Sequence, residues 1–458
     1  MEKTENTIGK EFTMKELIKF VSAPVISKLF ISLLSTLDDS LFISRYCGEN
    51  ALAAFTLALP WFMIVDVFVM IIGAISTKCS ILMGEKKNDE ANSSFTTMII
   101  VSGCLGLVFT LVLSLFMKPI FTFLGVTELT YPYIEQYVNI SRFYMPLFIM
   151  GNTFARFYVV AGKPKVAVAS TLVHTFCNLF FDWLLIAKLN IGIAGAAYGN
   201  LAGNLLINII AFIFFSNKKN EIHFAKPVKD PFRLIKDVFI LGKSQGLTSL
   251  AISVNSLIVN YVLLKNGGEP LVAAYSVVNN VQFMFMNAFF GFVGSTSPIV
   301  SYAYGERNAK KLSRIIKQSV ILIECLALIV ALLIIMSKPG VLFLYFSEDA
   351  SETIRATSSF GLSVVPFCFP IFSFNVLTQE FLVAVGNHKV ATFLSILENV
   401  ILSNAAILVL PALFGKDIIW FVFLIYESIT LLASLYVAYS HRNVYGYGKD
   451  GIATFEKA

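Results

Sequence analysis

"GENALAAF", residues 48–55, and "GEPLVAAY", residues 268–275, are two versions of one segment set 220 residues apart. The likeness continues in the same order down the chain. "GAISTKCSILMGEK" from Gly73 matches "GSTSPIVSYAYGER" from Gly294 at a shift of 221, and "AGKPKVA" from Ala161 matches "VGNHKVA" from Val385 at a shift of 224. Pro146 meets Pro370 at that same shift. A chain that repeats itself at a nearly constant offset is two copies of one folding unit. The polar, basic stretch 216–233, with Pro227 and Pro231, lies where the copies join.

Composition decides what kind of unit is repeated. Of 458 residues, 57% are hydrophobic and only 14% charged, with Phe alone contributing 43. A water-soluble core needs far less apolar surface than this, whereas each membrane-spanning helix takes roughly 20 apolar residues. Apolar runs lie near 17–44, 51–82, 93–117, 131–160, 165–187 and 192–215, then 234–264, 271–303, 314–336, 351–384, 390–412 and 418–440. The expectation is an all-α integral membrane protein of twelve transmembrane helices in two six-helix lobes. Because six is even, both copies enter from one side, and the lobes are related by a pseudo-two-fold along the membrane normal.

The expected organisation is therefore a cytoplasmic N-terminal segment (1–16), an N-lobe (17–215), a basic cytoplasmic linker (216–233), a C-lobe (234–440) and a cytoplasmic tail (441–458). Orientation comes from charge. Lys218, Lys219, Lys226, Lys229, Arg233 and Lys236 crowd the loop after span six, and Arg307, Lys310, Lys311, Arg314 and Lys317 the loop after span eight. Such clusters stay on the cytoplasmic side, which puts both termini inside. The net charge of +6 is thus explained by topology, and no nucleic-acid partner is implied. The opening residues show no signal-peptide pattern, and the six scattered cysteines suggest neither disulfides nor a metal site.

Two acids, Asp38 and Asp39, fall inside the first span, and the repeat shows whether they serve the architecture. At the local shift of 220 they land on Ile258 and Val259. In span five, Asn178 and Asp182 are one helical turn apart and share a face, yet the shift of 224 carries them to Leu402 and Ala406; a slip of two residues would bring in Asn404. The second copy keeps no acid at either place. A carboxylate at mid-membrane costs about 2.5–3.5 kcal/mol on insertion scales, so acids retained in one lobe point to an ion or proton pathway, with helix–helix hydrogen bonding as the plainer explanation.

"LDDSLFISRYCGENALAA", the "LMGEKK" and "AYGERN" motifs after spans two and eight, the "AGKP" turn and "NLFFDWLLI" of span five resemble the multidrug and toxic compound extrusion (MATE) family, in its DinF-like and MepA-like bacterial branch. The resemblance runs over both halves. It implies a bacterial cell-membrane antiporter that expels amphipathic, often cationic compounds by alternating access, driven by protons or sodium ions. It also implies a cation-coupling site at Asp39, Asn178, Asp182 and Asn200, with Asp39 rather than Asp38 matching the family pattern. No cofactor is expected, and no metal beyond a sodium ion at Asp39 and Asp182. The partners implied are small amphipathic or cationic molecules and membrane lipids, with the protein a monomer.

Further candidates for a substrate or proton pathway are His174, one turn before Asn178, then Glu427 in "LIYESIT", Glu380, and Met284 and Phe285 in "VQFMFMNAFFGF". Ring faces attract organic cations and methionine fits irregular shapes, although helix packing uses the same residues. Glu398 also falls in a late span. Asp66, Arg142, Arg156 and Glu324 interrupt apolar spans without an assignable role. The "LGKSQG" from Leu241 lacks the glycine that a phosphate-binding loop needs five residues before its lysine, since Val238 stands there. The four histidines show no HExxH spacing and no GxSxG occurs, which argues against a membrane enzyme. The remaining alternative is a flippase for lipid-linked sugars of the same fold; buried cations in its cavity would favour it, and acids favour export of cations.

Overall fold

The computed structural model describes residues 8–34, 39–124, 126–345 and 352–447. Asp38 lies outside them. The described residues form helices and turns, with no strand among them. In chain order the helices are α1 (Met14–Leu34), α2 (Asp39–Tyr46), α3 (Glu49–Gly73), α4 (Ile75–Gly84), α5 (Asn88–Phe123), α6 (Tyr131–Val160), α7 (Pro164–Asp182) and α8 (Ala194–Ser216). They continue as α9 (Pro231–Gly305), α10 (Ala309–Tyr345), α11 (Glu352–Val364), α12 (Phe369–Ala384), α13 (His388–Ile396), α14 (Ser403–Phe414) and α15 (Ile419–Ser440). Paired pieces such as α3 with α4, α11 with α12 and α13 with α14 each fall within one expected span. Nine helical stretches of the described residues are long and apolar enough to cross a bilayer.

The breaks between pieces have local causes. α9 runs through two of the expected spans, and its chain turns at Gly268, whose φ of 64° is open to glycine. Span five passes from α7 into a π-helical turn, Trp183–Lys188, and span eleven has a similar turn at Leu397–Leu402. Such turns widen the helix by one residue and occur frequently at functional sites.

The repeat is written into the backbone as well as the side chains. Gly48 and Gly268, matched at 220, both have positive φ (85° and 64°). Lys86 and Arg307, matched at 221, are both non-glycine residues in the left-handed region (64° and 53°), and Gly162 and Gly386, matched at 224, have φ of 68° and 75°. A fourth pair, Gly192 and Gly415, adds a shift of 223. Four matched occurrences in chain order agree with the register read from the sequence, the Lys86–Arg307 pair most tellingly, because positive φ is uncommon outside glycine.

The chain forms two compact units, residues 1–10 with 26–242, and residues 11–25 with 243–458. The boundary inside α1 falls one residue past Pro24. In the first unit, Phe95, Phe154, Phe157, Phe215 and Phe224 interlock, with the Phe95 and Phe157 rings 4.5 Å apart. The basic stretch after α8 is fastened rather than loose, because His223, Ala225 and Val228 donate backbone N–H groups to Asn92, Thr96 and Thr97 of α5 at 2.9–3.0 Å. In the second unit, Phe289 stacks on Phe369, and Gln318 donates to the Phe12 carbonyl.

Candidate functional site

Asp39 is the first described residue of α2. It is buried, and two helices bring amides to it. Asn178 of α7 donates Nδ2 to Asp39 Oδ1 at 3.2 Å, and Asn200 of α8 donates Nδ2 to Oδ2 at 2.7 Å. Asn200 also donates to the Ala196 carbonyl of its own helix at 3.1 Å, which fixes the amide. Asp182, fully buried, ends α7 one turn beyond Asn178 and just before the π-helical turn. Three passes that are distant in sequence thus place two carboxylates and two carboxamides in one buried region of the first unit. These are the four residues named as the coupling site from the sequence.

What makes room for them is a stripe of glycines that the sequence reading passed over. α8 carries Gly195, Gly199 and Gly203 at four-residue spacing. A Cβ on Gly199 would lie 2.6 Å from Asp182 Oδ1 and 3.3 Å from both Asn178 Nδ2 and its carbonyl. One on Gly203 would lie 3.0 Å from His174 Cδ2, and one on Gly195 2.7 Å from Ile186 Cγ1. Small residues at i, i+4 let two membrane helices approach closely, and here they let α7 lay its polar face, His174, Asn178 and Asp182, directly on α8. The signal was legible as "GAAYGNLAG". A second four-residue ladder follows on α8: Asn204 donates to the Asn200 carbonyl, and Asn208 to the Asn204 and Leu147 carbonyls.

His174 therefore shares the α7 face of the coupling residues, packed on Gly203. The other candidates belong to the second unit. Asn375 of α12 donates Nδ2 to Glu427 Oε2 at 2.7 Å and to the Glu427 carbonyl at 3.0 Å, while Gln379, one turn on, donates to Glu398 Oε2 at 2.7 Å. Glu380 receives Gln245 Nε2 at 3.2 Å and lines a small cleft with Thr296, Ser297 and Ser319. Glu324 accepts from Ser373 at 2.9 Å. Phe285 is buried and Met284 half-buried on α9. Sequence reasoning singled out Glu427 but missed its partner Asn375, because one amide in an apolar span carries no mark of what it will face.

The two units are not copies at these positions. The shift of 220 shared by Gly48 and Gly268 keeps Val259 opposite Asp39, and shifts of 224 and 223 both place alanines, Ala406 and Ala405, opposite Asp182. Asn404 donates to Val400 of its own helical pass, so a register slip supplies no equivalent of the Asn178 bond.

Comparison with known proteins bears on both halves at once. A family model, MatE, matches residues 24–184 and again 246–407. The chain belongs to the MatE family. Among its relatives, the "Multidrug export protein MepA" of Staphylococcus haemolyticus is 25% identical over 92% of each chain. The protein of that name from Staphylococcus aureus (strain MRSA252) is 24% identical over 92% of this chain and 93% of its own. An outward-facing multidrug resistance MATE family transporter of known structure aligns with a TM-score of 0.88 at 19% identity, covering 96% of this chain and 98% of that one. The fold is that of a MATE transporter, and the protein is a multi-pass membrane protein.

Proposed function

We propose that this protein is a cation-coupled antiporter that exports amphipathic, often cationic compounds, with Asp39, Asp182, Asn178 and Asn200 holding the coupling ion, a proton or a sodium ion. The names of its staphylococcal relatives support export of many compounds. The observation that carries the coupling assignment is the convergence of Asn178 and Asn200 on the Asp39 carboxylate, buried beside the face that bears Asp182, in one unit and not in its repeat. Two carboxylates in a low-dielectric site cannot both stay ionised without a cation, and the amides orient them to receive one.

Antiport then follows from competition. If ion and cationic substrate draw on the same negative charge, each weakens the other's binding by the same factor, a thermodynamic requirement. Loading the acids on one side releases the substrate, and emptying them on the other restores its affinity. The tests are efflux of ethidium from cells expressing the chain, with the proton and sodium gradients collapsed separately. Loss of efflux with one gradient names the ion; efflux that survives collapse of both contradicts cation-coupled antiport.

A further inference from the structure

Lys218, Lys219, Lys226, Lys229, Arg233 and Lys236, the cations between α8 and the first turns of α9, are all exposed. They are held on a fixed backbone. The segment turns its apolar side chains inward, with Ile222 buried and Phe224 packed on Phe95 and Phe212. Ala225 and Val228 are tied to Thr96 and Thr97 of α5, and the residue after each tie is a lysine, Lys226 and Lys229. Among the described residues, none of the six cations has an ion pair or a side-chain hydrogen bond. The acids of the segment are engaged elsewhere. Asp230 caps α9 by accepting the Arg233 N–H, Asp237 is bridged to Lys78 of α4, and Glu221 is half-buried with an interaction of its own. In the basic loop after α9, by contrast, Lys311 is buried and paired with Glu306, and Arg314 pairs with Glu11.

Apolar side chains stand beside the unpaired charges. Phe232 is 83% exposed, Phe239 54% and Ile235 37%. Phe232, Lys236 and Phe239, at i, i+4 and i+7, share one face of α9, while Leu234 and Val238 are buried on the other. Topology alone asks for cations in this loop, but not for exposed rings among them. Rings at the end of a membrane helix, flanked by unpaired lysine and arginine, match acyl chains beneath a plane of anionic phosphates. A soluble acidic partner would meet the charge but not the rings, which lie on a helix that continues into a membrane pass.

We propose that residues 218–239 form a docking surface for anionic phospholipid headgroups, with Lys226, Lys229, Arg233 and Lys236 taking the phosphates and Phe232 and Phe239 entering the acyl region. The side involved is the cytoplasmic one, by the charge asymmetry of the loops. The surface is separate from the Asp39 region and does not depend on the exporter reading. Because its backbone is already fastened, binding has only side chains to order.

The test titrates the purified full chain, in dodecyl maltoside, with fluorescent NBD-phosphatidylglycerol and with NBD-phosphatidylcholine of equal chain length, followed by anisotropy. At about 0.15 M NaCl the wild type is expected to bind phosphatidylglycerol at least about tenfold more tightly, since each cation near an anionic surface contributes about fivefold. The triple variant Lys226→Gln/Lys229→Gln/Arg233→Gln is expected to bring the two affinities within about twofold of each other with Tm unchanged. Lys226→Arg/Lys229→Arg is expected to keep the preference. Phe232→Ser/Phe239→Ser is expected to weaken both lipids alike, and unchanged binding of both would refute insertion of the rings. No preference in the wild type, or a preference that survives the triple glutamine variant, overturns the proposal. Concentration-dependent dimerisation that the triple variant abolishes, without any lipid preference, would overturn it in favour of a second copy of the chain.

Discussion

Gly199→Ala places one methyl group where the coupling residues leave no room for it. The new Cβ would stand 2.6 Å from Asp182 Oδ1, well inside contact distance, and 3.3 Å from two atoms of Asn178. Asp182 is fully buried at the end of α7, so α7 and α8 must part or the carboxylate must turn. Overpacking of this kind costs about 1–3 kcal/mol, partly offset by the ~1 kcal/mol that alanine gains over glycine in a helix. The strain falls on the coupling residues, since Asn200 beside Gly199 holds Asp39 at 2.7 Å. The net, up to about 2 kcal/mol, corresponds to as much as about 30-fold when it falls on ion binding. Ethidium efflux at matched membrane expression is therefore expected to fall severalfold. Gly294→Ala, whose Cβ meets nothing within 4 Å, serves as the control and is expected to be silent. Wild-type efflux by Gly199→Ala would refute the claim that this glycine sets the geometry of the site.

Other expectations follow from the same structure. Asp39→Asn and Asp182→Asn keep shape and remove charge, so each is expected to abolish gradient-driven efflux with near-normal expression; undiminished efflux by either would remove it from the coupling site. Val259 and Ala406, the repeat counterparts of the two acids, are expected to accept other small apolar residues with efflux intact, and loss of activity at both would undo the argument from asymmetry. Asn387 caps α13 by accepting from the Val390 N–H and also donates to Tyr445 Oη at 3.2 Å. Asn387→Ala is expected to lower stability by about 1 kcal/mol, seen as a reduced Tm in detergent, without loss of coupling.

The architecture was legible because hydropathy and the repeat are each properties of long stretches. The residue pairs matched at 220, 221 and 224 reappear as matched positive-φ positions, a physical echo of the same turns. The meeting of Asn178 and Asn200 on Asp39 was legible only through the broken repeat and the family resemblance, since nothing local to Asn200 names its partner. Gly199 was missed because a glycine's role lies in what approaches it. Likewise, the π-helical turn after Asp182 leaves no composition signal, as "WLLIAK" would continue an ordinary helix equally well. The network of Glu427, Asn375, Gln379 and Glu398 was half seen: acids stand out in an apolar span, whereas their amide partners do not.

The central claim is that ion and cationic substrate compete for the negative charge around Asp39 and Asp182. Its most direct test is the affinity of the purified protein for a cationic substrate, measured by calorimetry or fluorescence anisotropy while pH and sodium are varied separately. Competition requires that affinity fall as pH is lowered, if the ion is a proton, or as sodium is raised, if it is sodium, and that Asp39→Asn flatten the dependence. Wild-type affinity indifferent to both ions would contradict direct competition.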